Sequence, residues 1–280
     1  MKNSKIEWCD HTQNFWVGCS PVSEGCQNCY ARRQVNRFGG DFSERRRTSA
    51  ANWKLPARWN RQRELLEDSK DGCYGYRLPA NPRVFCGSMM DWLDDQVPVA
   101  WLADALRVMR ETRNLTWMLL TKRPENFARG LRRCLDAEAS MIWMDECSPP
   151  RNIWVGASVE NQEMADLRIP QLLAIPAAKR FLSIEPLLGP VQMRTFCDGQ
   201  GGVPIGLGGS SVVQGKFDWV IVGGESGPGF RPMNLGWLEF LAAQCTAAGV
   251  RLFVKQDAGL RPGQQGRIPD KLWARKEFPV

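Results

Sequence analysis

From residue 83 onward, short apolar runs alternate with longer stretches of helical period. Residues 83–88, 115–121, 152–158, 180–185, 219–223 and 250–256 are rich in Val, Ile, Phe and Trp. They are too short for helices and predict strands. Residues 98–112, 124–135, 162–173 and 235–248 repeat apolar side chains at helical spacing. Pro124 suits the first turn of its helix, and Pro170 is expected to bend or interrupt another. Successive strands end near residues 88, 121, 158, 185, 225 and 255, a spacing of roughly 30 residues that fits one βα unit each. The pattern predicts an α/β fold, a partial (βα)6-type barrel of parallel strands.

The first third of the chain is less periodic. Ile6, Trp8, Phe15 and Trp16 form an apolar lead over residues 1–18, part of which can be a first strand. Residues 31–38 predict a helix stopped by Gly39 and Gly40, and residues 53–68 predict another. Residues 71–82 are turn-rich, residues 198–215 form a Gly-rich surface insertion, and the chain beyond Gln256 reads as irregular. With 43% hydrophobic residues, the 280-residue chain can build one core and is expected to be a single domain. It has no apolar run of bilayer length and no secretory h-region, so a cytoplasmic location without membrane contact is expected. The ten cysteines are then expected to be thiols.

Three of those thiols change the picture. Cys19, Cys26 and Cys29 fall within eleven residues of Gly, Pro, Ser and Asn, on an N-terminal loop. Three thiolates on one loop suit a soft metal or an iron–sulfur cluster. A structural zinc needs a fourth ligand, for which Cys9 and the single histidine, His11, are the nearest candidates. The other cysteines are scattered.

The ends of the predicted strands are polar: Ser88 and Asp91; Thr121, Lys122 and Arg123; Ser158 and Glu160; Ser183 and Glu185; Glu225; Lys255 and Gln256. Chemistry in barrels and open α/β sheets gathers at strand carboxyl ends. Charge is uneven as well. Residues 31–63 hold ten Lys/Arg against Asp41 and Glu44, whereas the whole chain is only +7. Phe38, Phe42, Trp53 and Trp59 are interleaved with these cations. Cations and aromatic platforms together suit DNA or RNA.

Nine motifs run along the chain: Lys5-Ile-Glu-Trp8, Gly18-Cys19, Gly25-Cys-Gln-Asn-Cys-Tyr-Ala31, Leu120-Thr-Lys-Arg-Pro124, Ile153-Trp-Val-Gly-Ala-Ser-Val-Glu160, Ser183-Ile-Glu-Pro-Leu-Leu-Gly-Pro190, Trp219-Val-Ile-Val-Gly-Gly-Glu-Ser-Gly227, Arg231-Pro-Met233 and Phe253-Val-Lys-Gln256. As a set they resemble the phage-associated Gp37/Gp68-like family, three-Cys-motif proteins similar to radical S-adenosylmethionine enzymes. The resemblance implies a [4Fe–4S] cluster on Cys19, Cys26 and Cys29, with S-adenosyl-L-methionine on the open iron and an electron donor as partner. If that mechanism carries over, position at the strand ends suggests supporting roles. Ser158 and Glu160 suit a ribose, Lys122 or Arg123 a carboxylate, and Glu185 or Glu225 an amino group or a proton; Ser88 is a further cofactor contact. The loop reads C-x6-C-x2-C where the radical enzymes usually have C-x3-C-x2-C. Asn28 stands where an aromatic usually contacts adenine, which leaves Tyr30 for that contact. The expected function is hydrogen abstraction from a nucleic acid or nucleotide. The alternative is a non-catalytic nucleic-acid-binding protein stabilised by zinc or a cluster.

Overall fold

Short β-rich segments, each followed by an amphipathic segment, can satisfy their backbones only by pairing side by side with the connections packed outside. The computed structural model describes residues 4–68, 80–134, 150–193, 203–204, 212–213 and 217–279. Its strands are β1 (His11–Gln13), β2 (Trp16–Val17), β3 (Arg46–Arg47), β4 (Arg83–Cys86), β5 (Thr116–Thr121), β6 (Ile153–Ser158), β7 (Lys179–Ile184), β8 (Val203–Pro204), β9 (Val212–Val213), β10 (Trp219–Gly223) and β11 (Arg251–Gln256). Its helices are α1 (Tyr30–Arg37), α2 (Ala50–Trp53), α3 (Leu55–Asp68), α4 (Val99–Glu111), α5 (Phe127–Arg133), α6 (Gln162–Leu173), α7 (Leu235–Ala248) and α8 (Asp270–Trp273).

Seven strands form one parallel sheet in the order β1-β4-β5-β6-β7-β10-β11, curled into a half-barrel. The six expected strands are all present. The seventh, β1, comes from the apolar lead and pairs with β4 from His11 opposite Val84 to Gln13 opposite Cys86. β2 and β3 form a separate antiparallel pair, as do β8 and β9. The last pair falls within the expected Gly-rich insertion, most of which lies outside the described residues. The helix over 124–135 opens as a 3-10 turn, Pro124–Asn126, before α5. Pro170 does not interrupt its helix: α6 runs from Gln162 through Leu173, and the Ala174 N–H still bonds the Pro170 carbonyl at 3.2 Å. The irregular tail holds only the short α8.

Strand alternation sorts the core into two layers. Val84, Trp117, Leu119, Val155, Leu182, Val220 and Leu252 pack outward under the helices. Phe85, Met118, Phe181, Trp219, Ile221 and Phe253 face the hollow of the half-barrel, with Trp8 and Cys9. Trp8 meets Phe85 at 4.6 Å, Phe278 meets Trp219 at 5.4 Å, and the Arg83 guanidinium lies 3.9 Å over Phe278. Lys276 joins Glu7 at 2.8 Å beside them. These contacts fill the hollow toward the strand amino ends. Room for polar groups remains at the carboxyl ends.

Candidate functional site

The cysteine loop follows β2 and lies over the carboxyl ends of the strands. Its course depends on a glycine: Gly18 has φ of 122°, and a Cβ there would stand 2.0 Å from the Glu44 carbonyl oxygen. The chain then forms the 3-10 turn Glu24–Cys26 and enters α1 with Cys29 at its N-terminal boundary. Cys19, Cys26 and Cys29 are free and partly exposed.

Four side-chain contacts seat the loop on four different strand ends. Past β5, Arg123 Nη1 lies 3.4 Å from the Cys19 sulfur while its Nη2 donates to the Ser20 carbonyl at 2.7 Å. Past β6, Glu160 accepts from the Ser23 hydroxyl at 2.7 Å. Past β10, Glu225 accepts from the Asn28 amide at 2.9 Å. Past β4, the Ser88 carbonyl accepts from the Tyr30 hydroxyl at 2.6 Å.

Each anchor is itself held. Asp91 pairs with Arg123 at 3.0 Å and also accepts from the Thr121 hydroxyl and the Lys122 N–H. Glu160 is fully buried and pairs with buried Arg168 at 2.8 Å; Lys122 Nζ stands 3.7 Å from its other oxygen. Arg168 also donates to the Ser158 carbonyl at 2.8 Å. Glu225 takes three further bonds from Arg231: from the backbone N–H at 2.8 Å, Nε at 3.1 Å and Nη2 at 2.7 Å. The Arg231 Nη1 reaches Glu24 at 3.1 Å and Gln27 at 3.2 Å, so one guanidinium clasps loop and strand end together. Arg33 of α1 clamps the same region through the Ser226 and Pro228 carbonyls.

The structure thus brings together Cys19, Ser88, Arg123, Glu160, Glu225 and Tyr30, with Lys122 at the edge. Glu160 and Arg123 are committed to bonds within the protein. Ser158 and Ser183 lie on the concave face and are 2% and 3% exposed. Glu185 follows Phe181 and Ser183 on that face, and Lys255 follows Phe253; the two form an ion pair across β10. Tyr30 is crowded by protein yet 52% exposed, as expected for a side chain projecting into a concavity. Loss of solvent around its hydroxyl raises its pKa, and nearby Cys29 and Glu185 raise it further. Burial likewise pushes the Cys19 thiol up to about 11, with Asp91 adding to the rise and Arg123 opposing it. At Glu225 burial works upward, but the Arg231 and Asn28 hydrogen bonds outweigh it and hold the carboxyl below its ordinary value.

Ser23 and Arg33 carried no signal in the sequence, because their partners Glu160 and Ser226 lie 137 and 193 positions away; Arg168 is only eight residues from Glu160 but stands inside a helical pattern that does not single it out. Asn28 did carry one: its polar side chain bonds Glu225 and, at 3.0 Å, the Gly229 carbonyl, which explains why no aromatic stands there.

The donor set of the loop has the chemistry of a soft-metal site. Among the described residues, no three His, Cys, Asp or Glu side chains are already arranged as metal ligands. The two candidates for completing a zinc site are engaged elsewhere. Cys9 packs in the hollow with its thiol 3.4 Å from the Ser4 hydroxyl, and His11 stacks on Trp59 at 4.3 Å.

The basic segment is less free than its composition suggests. Arg45 forms a buried pair with Asp94 at 2.7 Å, Arg47 pairs with Asp104 at 2.7 Å, Arg32 and Arg33 bond loop carbonyls, and Arg63 is buried. Its aromatics are not a row of platforms: Phe42 and Trp59 are buried, and Trp53 lies under Arg47 at 4.1 Å. Phe38, at 81% exposure, is the exception.

No helix among the described residues is long and apolar enough to cross a membrane. A family profile described as "Protein of unknown function (DUF5131)" matches residues 3–275. No curated protein and no solved structure matches the chain.

Proposed function

The chain belongs to the DUF5131 family, described as of unknown function, and we propose that it is an iron–sulfur, radical S-adenosylmethionine-like enzyme acting on a nucleic acid or nucleotide. The observation that carries this reading is the seating of one three-cysteine loop on the carboxyl ends of β4, β5, β6 and β10. Cys19, Cys26 and Cys29 would hold a [4Fe–4S] cluster, which suits three thiolates and leaves one iron open. A reduced cluster with bound S-adenosylmethionine supplies the one-electron chemistry that removes hydrogen from an unactivated carbon.

The protein's own part is positional. Glu160, Glu225, Arg123 and Ser88 fix the loop over the mouth. The aromatic filling led by Trp8, Trp219 and Phe278 excludes water from below. Tyr30 offers a ring and a hydroxyl at the mouth, and the Lys255–Glu185 pair offers one charge of each sign on the concave face. Such a pair suits a cofactor or substrate with both an ionic group and a proton to orient. An electron donor must dock near the loop.

Anaerobic reconstitution tests the reading. The expected result is a brown protein with about four irons per chain that cleaves S-adenosylmethionine when reduced. Bound zinc in natively purified protein, with no iron uptake on reconstitution, would overturn it.

A further inference from the structure

In the basic segment Arg32, Arg33, Arg45, Arg47 and Arg63, with Phe42, Trp53 and Trp59, are used by the fold. Lys54, Arg58 and Arg61 are exposed at α2 and α3, and Arg37 and Arg46 are exposed beside Phe38 at the end of α1. Phe38 closes that helix and is 81% exposed, the largest exposure among the described large hydrophobics. Arg37 is in the last helical turn and exposed, and among the described residues no carboxylate forms an ion pair with it. Gly39 turns the chain at φ of 73°, and a Cβ there would have no neighbour within 4 Å, so the space beside Phe38 is open. Gly40 follows, and a Cβ on it would stand 2.9 Å from Arg46 Nη2, which places that guanidinium against the same turn. Arg46 is exposed as well. Asp41 is within electrostatic reach of Arg46, but its carboxylate accepts from the Ser43 N–H and hydroxyl, both at 2.7 Å.

We propose that Phe38, flanked by Arg37 and Arg46, is a stacking platform for one unpaired base of a single-stranded nucleic acid. The chemistry is that of sequence-tolerant single-strand binding: an aromatic face for a base and two guanidinium groups for adjoining phosphates. A duplex keeps its bases stacked on each other and cannot use the ring. A lone exposed aromatic is common on protein surfaces; this one has an open approach and two flanking cations. The placement also fits the site. α1 starts at the cysteine loop, and its eight residues span about 12 Å. Arg46 pairs in β3 opposite Val17, two residues before Cys19. A strand held at Phe38 is therefore anchored one short helix away from the cysteine loop. The inference rests on the nucleic-acid half of the proposed function and is independent of the cluster.

The test uses full-length protein and fluorescein-labelled oligonucleotides, single-stranded DNA and RNA and the matching duplexes, read by fluorescence anisotropy over a range of salt. The parent is expected to prefer single strands. Phe38→Ala should weaken single-strand binding on the order of tenfold, without changing the slope of log affinity against log salt, and Phe38→Trp should restore it. Arg37→Gln with Arg46→Gln should reduce that slope by about 1.4, for two single-strand phosphates. All these side chains are exposed, so circular dichroism of the variants should match the parent. If the parent binds but Phe38→Ala binds equally well, the platform is overturned and the nucleic-acid reading stands. If the parent binds neither DNA nor RNA, both fall, whatever the iron analysis shows. If Phe38→Ala alters only self-association in sedimentation, the residue belongs to a contact between copies and the proposal is overturned.

Discussion

The Ser23 hydroxyl donates to the Glu160 carboxylate at 2.7 Å, joining residues 137 positions apart. Glu160 has no freedom to follow the loop, because Arg168 holds its other oxygen at 2.8 Å and both side chains are buried. The cysteine loop is therefore docked on a fixed carboxylate, and Gly25 lies directly against it. A Cβ at Gly25 would stand 2.3 Å from Glu160 Cγ and Oε1.

Gly25→Ala is accordingly expected to push the loop off its seat. The cost should be about 1–3 kcal/mol, as for other overpacked sites, read from urea unfolding, together with fewer irons retained after reconstitution. Gly39→Ala is the comparison. It meets no neighbour and bears only the strain of φ at 73°, about 1–2 kcal/mol, with iron retention intact. Equal iron retention in the two variants would show that Gly25 does not set the loop.

The barrel was legible in the sequence because its strands are buried on both faces or alternate cleanly, and because βα units repeat. Phe181, Ser183 and Glu185 could be placed on one face by spacing alone. The seating of the loop was not legible. β1 is only three residues long, and β3 consists of Arg46 and Arg47, which have no apolar pattern to betray a strand. The reach of Arg231 from Glu225 to Glu24 spans 207 positions, which local spacing cannot bring together. The charge count over residues 31–63 was correct but could not say which arginines the fold consumes. Arg45 and Asp94 meet across 49 positions.

The clasp at Glu225 predicts a pH dependence. Burial alone would raise this carboxyl, but bonds from Arg231 and Asn28 lower it beneath its ordinary 4.5. A lowered folded pKa means that the carboxylate stabilises the fold above pH 4.5 and loses that contribution as pH falls through the folded value. The urea midpoint of the parent should thus fall between about pH 6 and about pH 3. Glu225→Gln should start lower by about 1–3 kcal/mol and fall less across that window. Asp257 and Glu277 are lowered too, so a residual dependence of the same sign remains. An undiminished fall in the variant would remove Glu225 from the explanation.

Cys19 predicts the opposite end of the pH scale. Burial, and then Asp91, raise its thiol to about 11, with Arg123 pulling the other way at 3.4 Å. In metal-free protein, alkylation of Cys19 followed by peptide mass spectrometry should accelerate about tenfold per pH unit and level off only near pH 11. Arg123→Met leaves Asp91 unopposed and should slow alkylation at every lower pH. A rate that levels off below the ordinary thiol value of 9.0 would contradict this environment.

Lys255 and Glu185 provide the sharpest separation of chemistry from stability. β10 lies between their strands, so the pair bridges three strands on the concave face, each side chain 19% exposed. Lys255→Met or Glu185→Gln alone leaves a half-buried partner unmatched, at a cost of about 1–3 kcal/mol. Lys255→Met combined with Glu185→Leu removes both charges and should recover most of that stability. If the pair only braces the barrel, S-adenosylmethionine cleavage by the reconstituted protein should recover with it. If the pair orients cofactor or substrate, as proposed, the double variant should be stable, carry its iron, and cleave at least tenfold more slowly than the parent, about 1.4 kcal/mol of lost transition-state binding. Recovery of cleavage along with stability would assign Lys255 and Glu185 to the scaffold and move the search for substrate contacts toward Tyr30 and Lys122.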